Sequence, residues 1–214
     1  MKWFANEHHV FIGGGTRSGK TVLANQVHAE NDRISVFYHK SAQDKDNIRG
    51  VQVSSVSGVL AAIANGAQCV NFYWCDSSDW SGDDDLQRLV DLMFELADRS
   101  PHTSYQLIVD EVHEHVGTHP SGDNRIMRLC KTGAGSDLKG ILISQNAQNI
   151  SNLVLSQCFW HVWVGTPSRQ DESYLDGYGY PVDRLESLDI GEYVLMTNRG
   201  ELEDQGRSDP AYAE

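Results

Sequence analysis

Short apolar runs alternate with amphipathic segments along most of the chain. The runs that predict strands are residues 9–12, 33–39, 51–54, 68–74, 105–109, 140–145 and 159–165. The segments with helical spacing are residues 22–28, 57–64, 84–99, 123–132, 150–157 and 171–178. Residues 105–109 and 140–144 have little polar interruption, which is typical of parallel strands covered on both faces. The alternation of strands and helices predicts an α/β fold with a mostly parallel central sheet flanked by helices.

The C-terminal part of the chain has a different pattern. Residues 192–201 predict a hairpin that turns at Asn198–Gly200. The segment 204–214 is polar, and we expect it to form a mobile tail. Because 214 residues suit one domain, we expect residues 1–203 to form a single domain. In the first half, Ser57 is the expected N-cap of the helix over 57–64.

The segment Gly14–Thr21 reads G-x-x-x-x-G-K-T, the phosphate-binding P-loop pattern. It follows an apolar run and precedes a helical segment, which is the context that this motif requires and that a chance glycine-rich turn would lack. The N–H groups of such a loop and the dipole of the helix favour an anion. We expect Lys20 to reach the β- and γ-phosphates of ATP and Thr21 to hold Mg²⁺. The residues expected to surround the nucleotide are Gly14, Gly15, Thr16, Arg17, Ser18, Gly19, Lys20 and Thr21.

Polar residues follow two of the apolar runs. Asp110 and Glu111 close the run 105–109, and Gln145 closes the run 140–144. Beside a P-loop, a carboxylate at the end of a buried strand is the usual partner of Mg²⁺, a role that we assign to Asp110. Glu111 would polarise the attacking water, and Gln145 would sense the γ-phosphate or orient that water. Taken alone, each of these residues could be a simple polar residue at a strand end.

Three motifs in this order resemble the HerA/FtsK superfamily of hexameric DNA-pumping ATPases. They are G-x-x-x-x-G-K-T at 14–21, L-I-V-D-E at 107–111 and I-L-I-S-Q at 141–145. The resemblance extends over about residues 10–195 and implies a P-loop NTPase fold of the RecA/ASCE type with a C-terminal hairpin. The short length resembles the minimal ATPases that package genomes into membrane-containing icosahedral viruses.

This resemblance implies an ATP-hydrolysing translocase of double-stranded DNA that acts as a homo-oligomeric ring, expected to be a hexamer. It would fill a preformed capsid, with capsid or vertex proteins as partners, in the host cytoplasm or at the virion vertex. The alternatives are another motor of this superfamily, for conjugation, DNA processing or extrusion of filamentous virions, and a P-loop kinase or nucleotide switch. A kinase would need an arginine-rich lid after Ser144, and a guanine-nucleotide switch would need N-K-x-D; the sequence has neither.

The chain departs from the superfamily at one place. Members commonly carry Gly-Arg in the loop before the sensor strand, and that arginine can reach the nucleotide of a neighbouring subunit. The matching pair here is Gly133–Ala134. Arg128 is our candidate for this trans-acting cation, and Arg125, Lys131 and Arg99 are the other candidates. For each of them the alternative is a solvated surface cation.

The charge of the chain is strongly negative. The formal net charge is −13, and the 19 Asp, 11 Glu, 11 Arg and 6 Lys residues suggest a surface adapted to high salt, although a plain acidic protein would have a similar balance. The acidity argues against a broad nucleic-acid surface, so DNA would be gripped by local basic clusters. The candidate clusters are Lys40, Lys45 and Arg49, and Lys131 with Lys139. The sequence has no apolar run long enough to cross a membrane.

Three histidines follow the Asp-Glu pair. His113, His115 and His119, with Glu114, could suggest a zinc site. Their spacing is not H-E-x-x-H and no cysteine lies near them. We therefore interpret them as loop histidines beside the nucleotide site.

Overall fold

The computed structural model describes residue 4 and residues 6–39, 49–73, 82–116, 124–145 and 147–212. The strands within these residues are β1 (Val10–Gly13), β2 (Ile34–His39), β3 (Val51–Val53), β4 (Cys69–Tyr73), β5 (Tyr105–Val109), β6 (Leu138–Ser144), β7 (Trp160–Val164), β8 (Glu192–Thr197) and β9 (Leu202–Arg207). The helices are α1 (Lys20–Glu30), α2 (Val56–Ala64), α3 (Gly82–Arg99), α4 (His113–Val116), α5 (Arg125–Thr132), α6 (Asn152–Gln157), α7 (Arg169–Gly177) and α8 (Val182–Leu185). Short 3₁₀ turns lie at Ala134–Ser136, Ala147–Asn149 and Pro210–Tyr212.

The strands form one sheet in the order β3-β4-β2-β5-β6-β1-β7-β8-β9. In this order, all neighbouring strands from β3 at one edge as far as β7 pair in parallel. Strands β8 and β9 then add an antiparallel hairpin beside β7. The predicted α/β class, with a mostly parallel sheet and a C-terminal hairpin, is confirmed.

Side chains of the central strands enter two cores, one on each face of the sheet. Phe11, Leu107 and Leu142 belong to the larger core, together with buried residues of α2, α3, α5 and α6. Their neighbours along the strands, such as Ile12 and Ile108, belong to the smaller core with residues of α1. This alternation follows the two-residue period of a strand, and it explains why the central strands appear as continuous apolar runs.

Strand β6 lies between β1 and β5, which fixes the geometry of the predicted site. The P-loop follows β1, the Asp-Glu pair follows β5 and Gln145 follows β6. Because parallel strands end at the same edge of a sheet, all three segments meet there, with Gln145 in the middle.

The structure corrects several sequence predictions. The N-cap of α2 is Ser55, whose side chain accepts a hydrogen bond from the Gly58 N–H at 3.1 Å, and not Ser57. The short helices α4 and α8 were not predicted, because a single turn carries too little periodic signal.

The expected polar tail is also corrected, because β9 continues to Arg207 and crosses the boundary at residue 204. Strand β9 is exposed and polar, as edge strands commonly are, so its pattern resembles that of a tail. Farther on, the Tyr212 hydroxyl donates to Glu30 Oε1 of α1 at 3.0 Å.

Within the described ranges, no helix is both long enough and apolar enough to cross a membrane.

Candidate nucleotide-binding site

The P-loop joins β1 to α1 through backbone conformations that favour glycine. Gly14 has a φ of +152° and Gly19 a φ of +102°. A Cβ atom on Gly14 would lie 2.3 Å from the Val164 carbonyl oxygen, and one on Gly19 would lie 2.9 Å from Gly191 Cα. Arg17 also has a positive φ, of 62°. The two motif glycines are therefore required both for the turn and for the close packing of the loop against the end of β7 and the segment before β8.

The loop leaves polar groups available for an anion. The N-cap of α1 is Gly19, which has no side-chain capping bond, and the first N–H groups of a helix have no partner within the helix. Among the described residues, the buried Ser18 hydroxyl also has no hydrogen-bond partner. A phosphate group in this cradle would satisfy these donors.

Lys20 lies at the centre of the site and is only 8% exposed. Its Nζ donates to the Gly15 carbonyl oxygen at 2.7 Å, so the side chain is folded back onto the loop. Burial lowers the pKa of Lys20 below its ordinary value, while the negative charges of Glu111, Asp110 and Asp171 oppose this shift. The structure thus brings the P-loop lysine close to the two carboxylates predicted after β5, and to a third one that the sequence did not suggest.

Asp110 and Glu111 lie immediately beyond β5. The Asp110 N–H donates to the Tyr38 carbonyl oxygen at 3.1 Å, which extends the pairing with β2. Asp110 Oδ1 accepts from the Glu111 N–H at 3.0 Å. Glu111 takes a left-handed conformation with a φ of +48°, and the residue is 7% exposed. A non-glycine residue in this region carries a cost of about 1–3 kcal/mol, so the surrounding contacts must hold Glu111 in place.

Gln145 connects the P-loop to Glu111. Its Oε1 accepts from the Thr16 hydroxyl at 2.7 Å, and its Nε2 donates to Glu111 Oε1. The Gln145 backbone N–H also donates to Glu111 Oε2, at 3.3 Å. One amide side chain therefore joins the loop that would bind phosphate to the carboxylate that would activate water.

His113 is a residue of this site whose role the sequence did not specify. Its Nδ1 lies 3.2 Å from Glu111 Oε2 and 2.9 Å from the Ser144 hydroxyl. The only available signal was its position two residues after the Asp-Glu pair. Within the described part of the chain, no group of three or more His, Cys, Asp or Glu side chains could hold a metal ion. His113 and His115 lie on the short helix α4, which corrects their interpretation as loop histidines; His119 lies outside the described residues.

The residues expected to hold Mg²⁺ have suitable chemistry for it. Thr21 supplies a hydroxyl at the first turn of α1, and Asp110 supplies a carboxylate that lies close enough to affect the pKa of Lys20. Both are hard oxygen donors, which Mg²⁺ prefers.

The C-terminal segment supports the P-loop, a contact that the sequence did not predict. The Gly191 N–H donates to the Ser18 carbonyl oxygen at 2.7 Å, and the Ser208 N–H donates to the Gly191 carbonyl oxygen at 2.8 Å. Asp171, which the Ser168 hydroxyl contacts at 2.6 Å, is 7% exposed. Residues far along the chain therefore support the P-loop.

The three arginines among the candidate trans-acting cations have partners within the chain. Arg128 Nη1 lies 3.1 Å from Asp91 Oδ1, and its guanidinium lies 4.1 Å from the centre of the Phe94 ring. Arg125 Nε lies 2.9 Å from the same Asp91 oxygen, and Arg99 pairs with Glu95 at 3.5 Å. Each of these arginines would have to exchange such a partner for a neighbour's phosphate.

The structure contradicts one of the basic clusters proposed for DNA. Lys139 is 1% exposed, and its Nζ donates to the carbonyl oxygens of Phe4 and Asn6 at 2.8 and 3.0 Å. It cannot grip DNA, whereas Lys131 is exposed. In the other cluster Arg49 is exposed, and Lys40 and Lys45 lie outside the described residues.

No protein-family model matches the sequence, and no curated protein matches it either. The fold is nevertheless similar to solved structures along its whole length. The genome packaging NTPase B204 from Sulfolobus turreted icosahedral virus 2, in complex with sulfate, superposes with a TM-score of 0.71 at 15% identity and covers 94% of this chain and 96% of its own. The same NTPase in complex with ATPγS gives a TM-score of 0.70 at 14% identity and covers 96% and 99%.

VirB4 of Thermoanaerobacter pseudethanolicus gives a TM-score of 0.65 at 10% identity and covers 96% of this chain and 91% of its own. These structural neighbours confirm the predicted P-loop NTPase fold. They include a viral genome-packaging NTPase, the group that the short length of the chain resembles.

Proposed function

We propose that this chain is an ATPase that drives double-stranded DNA into a viral capsid as part of an oligomeric ring. The proposal rests on the two hydrogen bonds that connect Thr16 through the Gln145 side chain to Glu111. It joins a phosphate cradle, a sensing amide and a general base in one connected unit, as nucleotide hydrolysis requires. The similarity to the packaging NTPase over nearly the full length of both chains supports the choice of substrate.

The chain's own residues account for the chemistry. Lys20 would leave the Gly15 carbonyl and bind the β- and γ-phosphates, together with the N–H groups of residues 14–21. Thr21 and Asp110 would hold Mg²⁺, which neutralises phosphate charge when it is bound. Glu111 would accept a proton from water as the water oxygen attacks the γ-phosphorus and the bond to the bridging oxygen breaks. The products are ADP and phosphate, and Gln145 is placed to detect the change.

Nucleotide hydrolysis would be coupled to DNA through a ring, proposed to be a hexamer. Arg128 remains our candidate for the cation supplied to a neighbour, and it would exchange Asp91 for the neighbour's phosphate. Because the chain has a formal net charge of −13, DNA would be bound by local basic groups such as Lys131. Capsid or vertex proteins would be the docking partners, in the host cytoplasm or at the vertex of the virion.

Two substitutions test the ATPase assignment. Lys20→Ala should remove both turnover and binding of a fluorescent ATP analogue, since it deletes the central phosphate contact. Glu111→Gln should remove turnover, by about 10²–10⁴-fold, while analogue binding persists. The matched control is Glu114→Gln, a change at an exposed residue of the adjoining helix α4, which should leave turnover intact. Normal turnover in Glu111→Gln would show that another group is the base.

A second candidate is another polymer motor of the same fold, for conjugation, DNA processing or virion extrusion. The fold is similar to that of VirB4 as well, with a lower TM-score of 0.65, so the fold is not restricted to the packaging NTPase. The two candidates differ in whether an empty capsid takes part in the reaction. Turnover that rises further when the purified empty capsid is added to linear double-stranded DNA would support packaging, and turnover that the capsid does not change would favour the second candidate.

A further inference from the structure

Glu111 is held by contacts on both sides of its backbone. The next residue, Val112, is fully buried, and its N–H donates to the Ile143 carbonyl oxygen of β6 at 2.9 Å. On the other side, the Asp110 N–H donates to the Tyr38 carbonyl oxygen at 3.1 Å. Glu111 lies between these two bonds in a left-handed conformation, with a φ of +48°, and both of its carboxylate oxygens contact Gln145, the residue after β6.

The two carboxylate oxygens of Glu111 have different partners. Oε1 accepts from the side-chain amide of Gln145. Oε2 accepts from the backbone N–H of Gln145 at 3.3 Å and lies 3.2 Å from His113 Nδ1. One oxygen is thus bound by a side chain that also contacts the P-loop, and the other is bound by an imidazole and a backbone N–H that have no hydrogen bond to the P-loop among the described residues.

His113 is itself fixed by Ser144, the last residue of β6, whose hydroxyl lies 2.9 Å from Nδ1. A ring nitrogen either carries a hydrogen or offers a lone pair. A lone pair on Nδ1 would face the negative oxygen of Glu111, so an ionised Glu111 selects the form with hydrogen on Nδ1. In that form His113 donates to Oε2, with the Ser144 oxygen as a second acceptor.

We propose that His113 is a positioning residue for Glu111, which holds Oε2 in place while Oε1 exchanges the Gln145 amide for the attacking water. The γ-phosphate would attract the Gln145 amide, which already lies at the P-loop through Thr16. Because His113 has no part in that exchange, the Glu111 carboxylate keeps its orientation when the Gln145 side chain moves. This inference rests on the proposed ATPase function and adds a residue to it.

The test compares two substitutions of His113. In His113→Asn, the side-chain amide nitrogen can occupy the place of Nδ1 and donate to Oε2. In His113→Leu, no donor remains. Turnover, the KM for ATP, binding of a fluorescent ATP analogue and thermal unfolding are measured for both. The matched control is His115→Asn, the same change on the same helix at a ring that packs edge-on against Tyr38.

We expect His113→Leu to lower kcat by about 10–100-fold, the effect of losing the alignment of a reacting group. KM and analogue binding should stay near the wild-type values, and His113→Asn should recover most of the loss. In single-turnover measurements, His113→Leu should cause no further loss in the Glu111→Gln background, because both changes remove the same function. If the Leu variant does not fold, His113→Gln replaces it, since its longer side chain cannot place the amide at Nδ1.

Three results would overturn the positioning role while leaving the ATPase assignment intact. They are wild-type kcat in His113→Leu, equal losses in the Asn and Leu variants, and losses that multiply in the Glu111→Gln background. A wild-type protein without ATPase activity would instead overturn the proposed function. The two failures are therefore distinguishable in one set of measurements.

Discussion

Acidification should weaken the fold through two buried histidines that lie on the elements holding the P-loop. His28 is on α1 and fully buried, and His9 directly precedes β1 and is 4% exposed. The Nδ1 of His9 accepts from the Gly140 N–H at 2.8 Å, which requires a lone pair on that nitrogen. The Nε2 atoms of both rings are buried and have no hydrogen-bond partner among the described residues. A proton added to either ring would therefore create a buried charge without a partner.

The size of this effect follows from the pKa values. Burial is the main cause that lowers the pKa of His9 from 6.5 to about 4 and that of His28 from 6.5 to about 3. Since each pKa is lower in the folded state, the unfolded chain binds more protons as the pH falls below 6.5. The free energy of unfolding then decreases until the folded pKa is reached, and at pH 5 each histidine accounts for about 2 kcal/mol.

The assay is urea unfolding at pH 7.5 and at pH 5 in the same salt. His28→Asn keeps a polar group near the Ser35 hydroxyl, which lies 2.7 Å from Nδ1 of His28, and cannot take up a proton. This substitution lowers the free energy of unfolding at both pH values. The decrease in that free energy between pH 7.5 and pH 5 should, however, be about 2 kcal/mol smaller than in the wild type. His102→Asn, the same change at an exposed histidine, should leave the difference unaltered. An unchanged difference in His28→Asn would refute the reasoning.

The remaining predictions concern the P-loop, the N-terminal segment, the trans-acting cation and the surface charge. Gly14→Ala should abolish binding of an ATP analogue, because its Cβ would lie 2.3 Å from a backbone oxygen; Gly135→Ala, whose Cβ meets nothing within 4 Å, should bind normally. Lys139→Met should leave DNA affinity unchanged and make the segment before β1 more sensitive to limited proteolysis, because the ammonium group bonds two of its carbonyl oxygens; lower DNA affinity would contradict its burial. In mixtures with wild type, Arg128→Ala should reduce turnover more than in proportion to its share, and a proportional fall would show that it does not act in trans. The melting temperature should fall as salt is lowered, because a net charge of −13 repels itself more when it is less screened, and indifference to salt would contradict adaptation to high salt.

Much of the sheet could be predicted because its central strands are buried on both faces. Residues 105–109 and 140–144 appear as apolar runs for that reason, and the structure places β5 and β6 there. The exposed strand β9 has no such signal, since its charged side chains lie at the edge of the sheet. Hydrophobic patterning reports burial, so it identifies the centre of this sheet better than its C-terminal edge.

The candidate site likewise has residues that the sequence predicts and contacts that it does not. The P-loop, Asp110, Glu111 and Gln145 are local motifs, and the structure brings them together at one edge of the sheet. The contact of Gly191 with Ser18 and the placement of Asp171 near Lys20 depend on the path of the chain after β7. No local pattern encodes such contacts. The role of His113 likewise needed the distance to Glu111 Oε2, which spacing alone does not give.

ATP turnover measured with and without double-stranded DNA at high salt, alongside the mass of the assembly, tests the central claim most directly. The account predicts an oligomeric ring whose turnover rises with DNA and is lost in Glu111→Gln. A strict monomer whose turnover ignores DNA would contradict it.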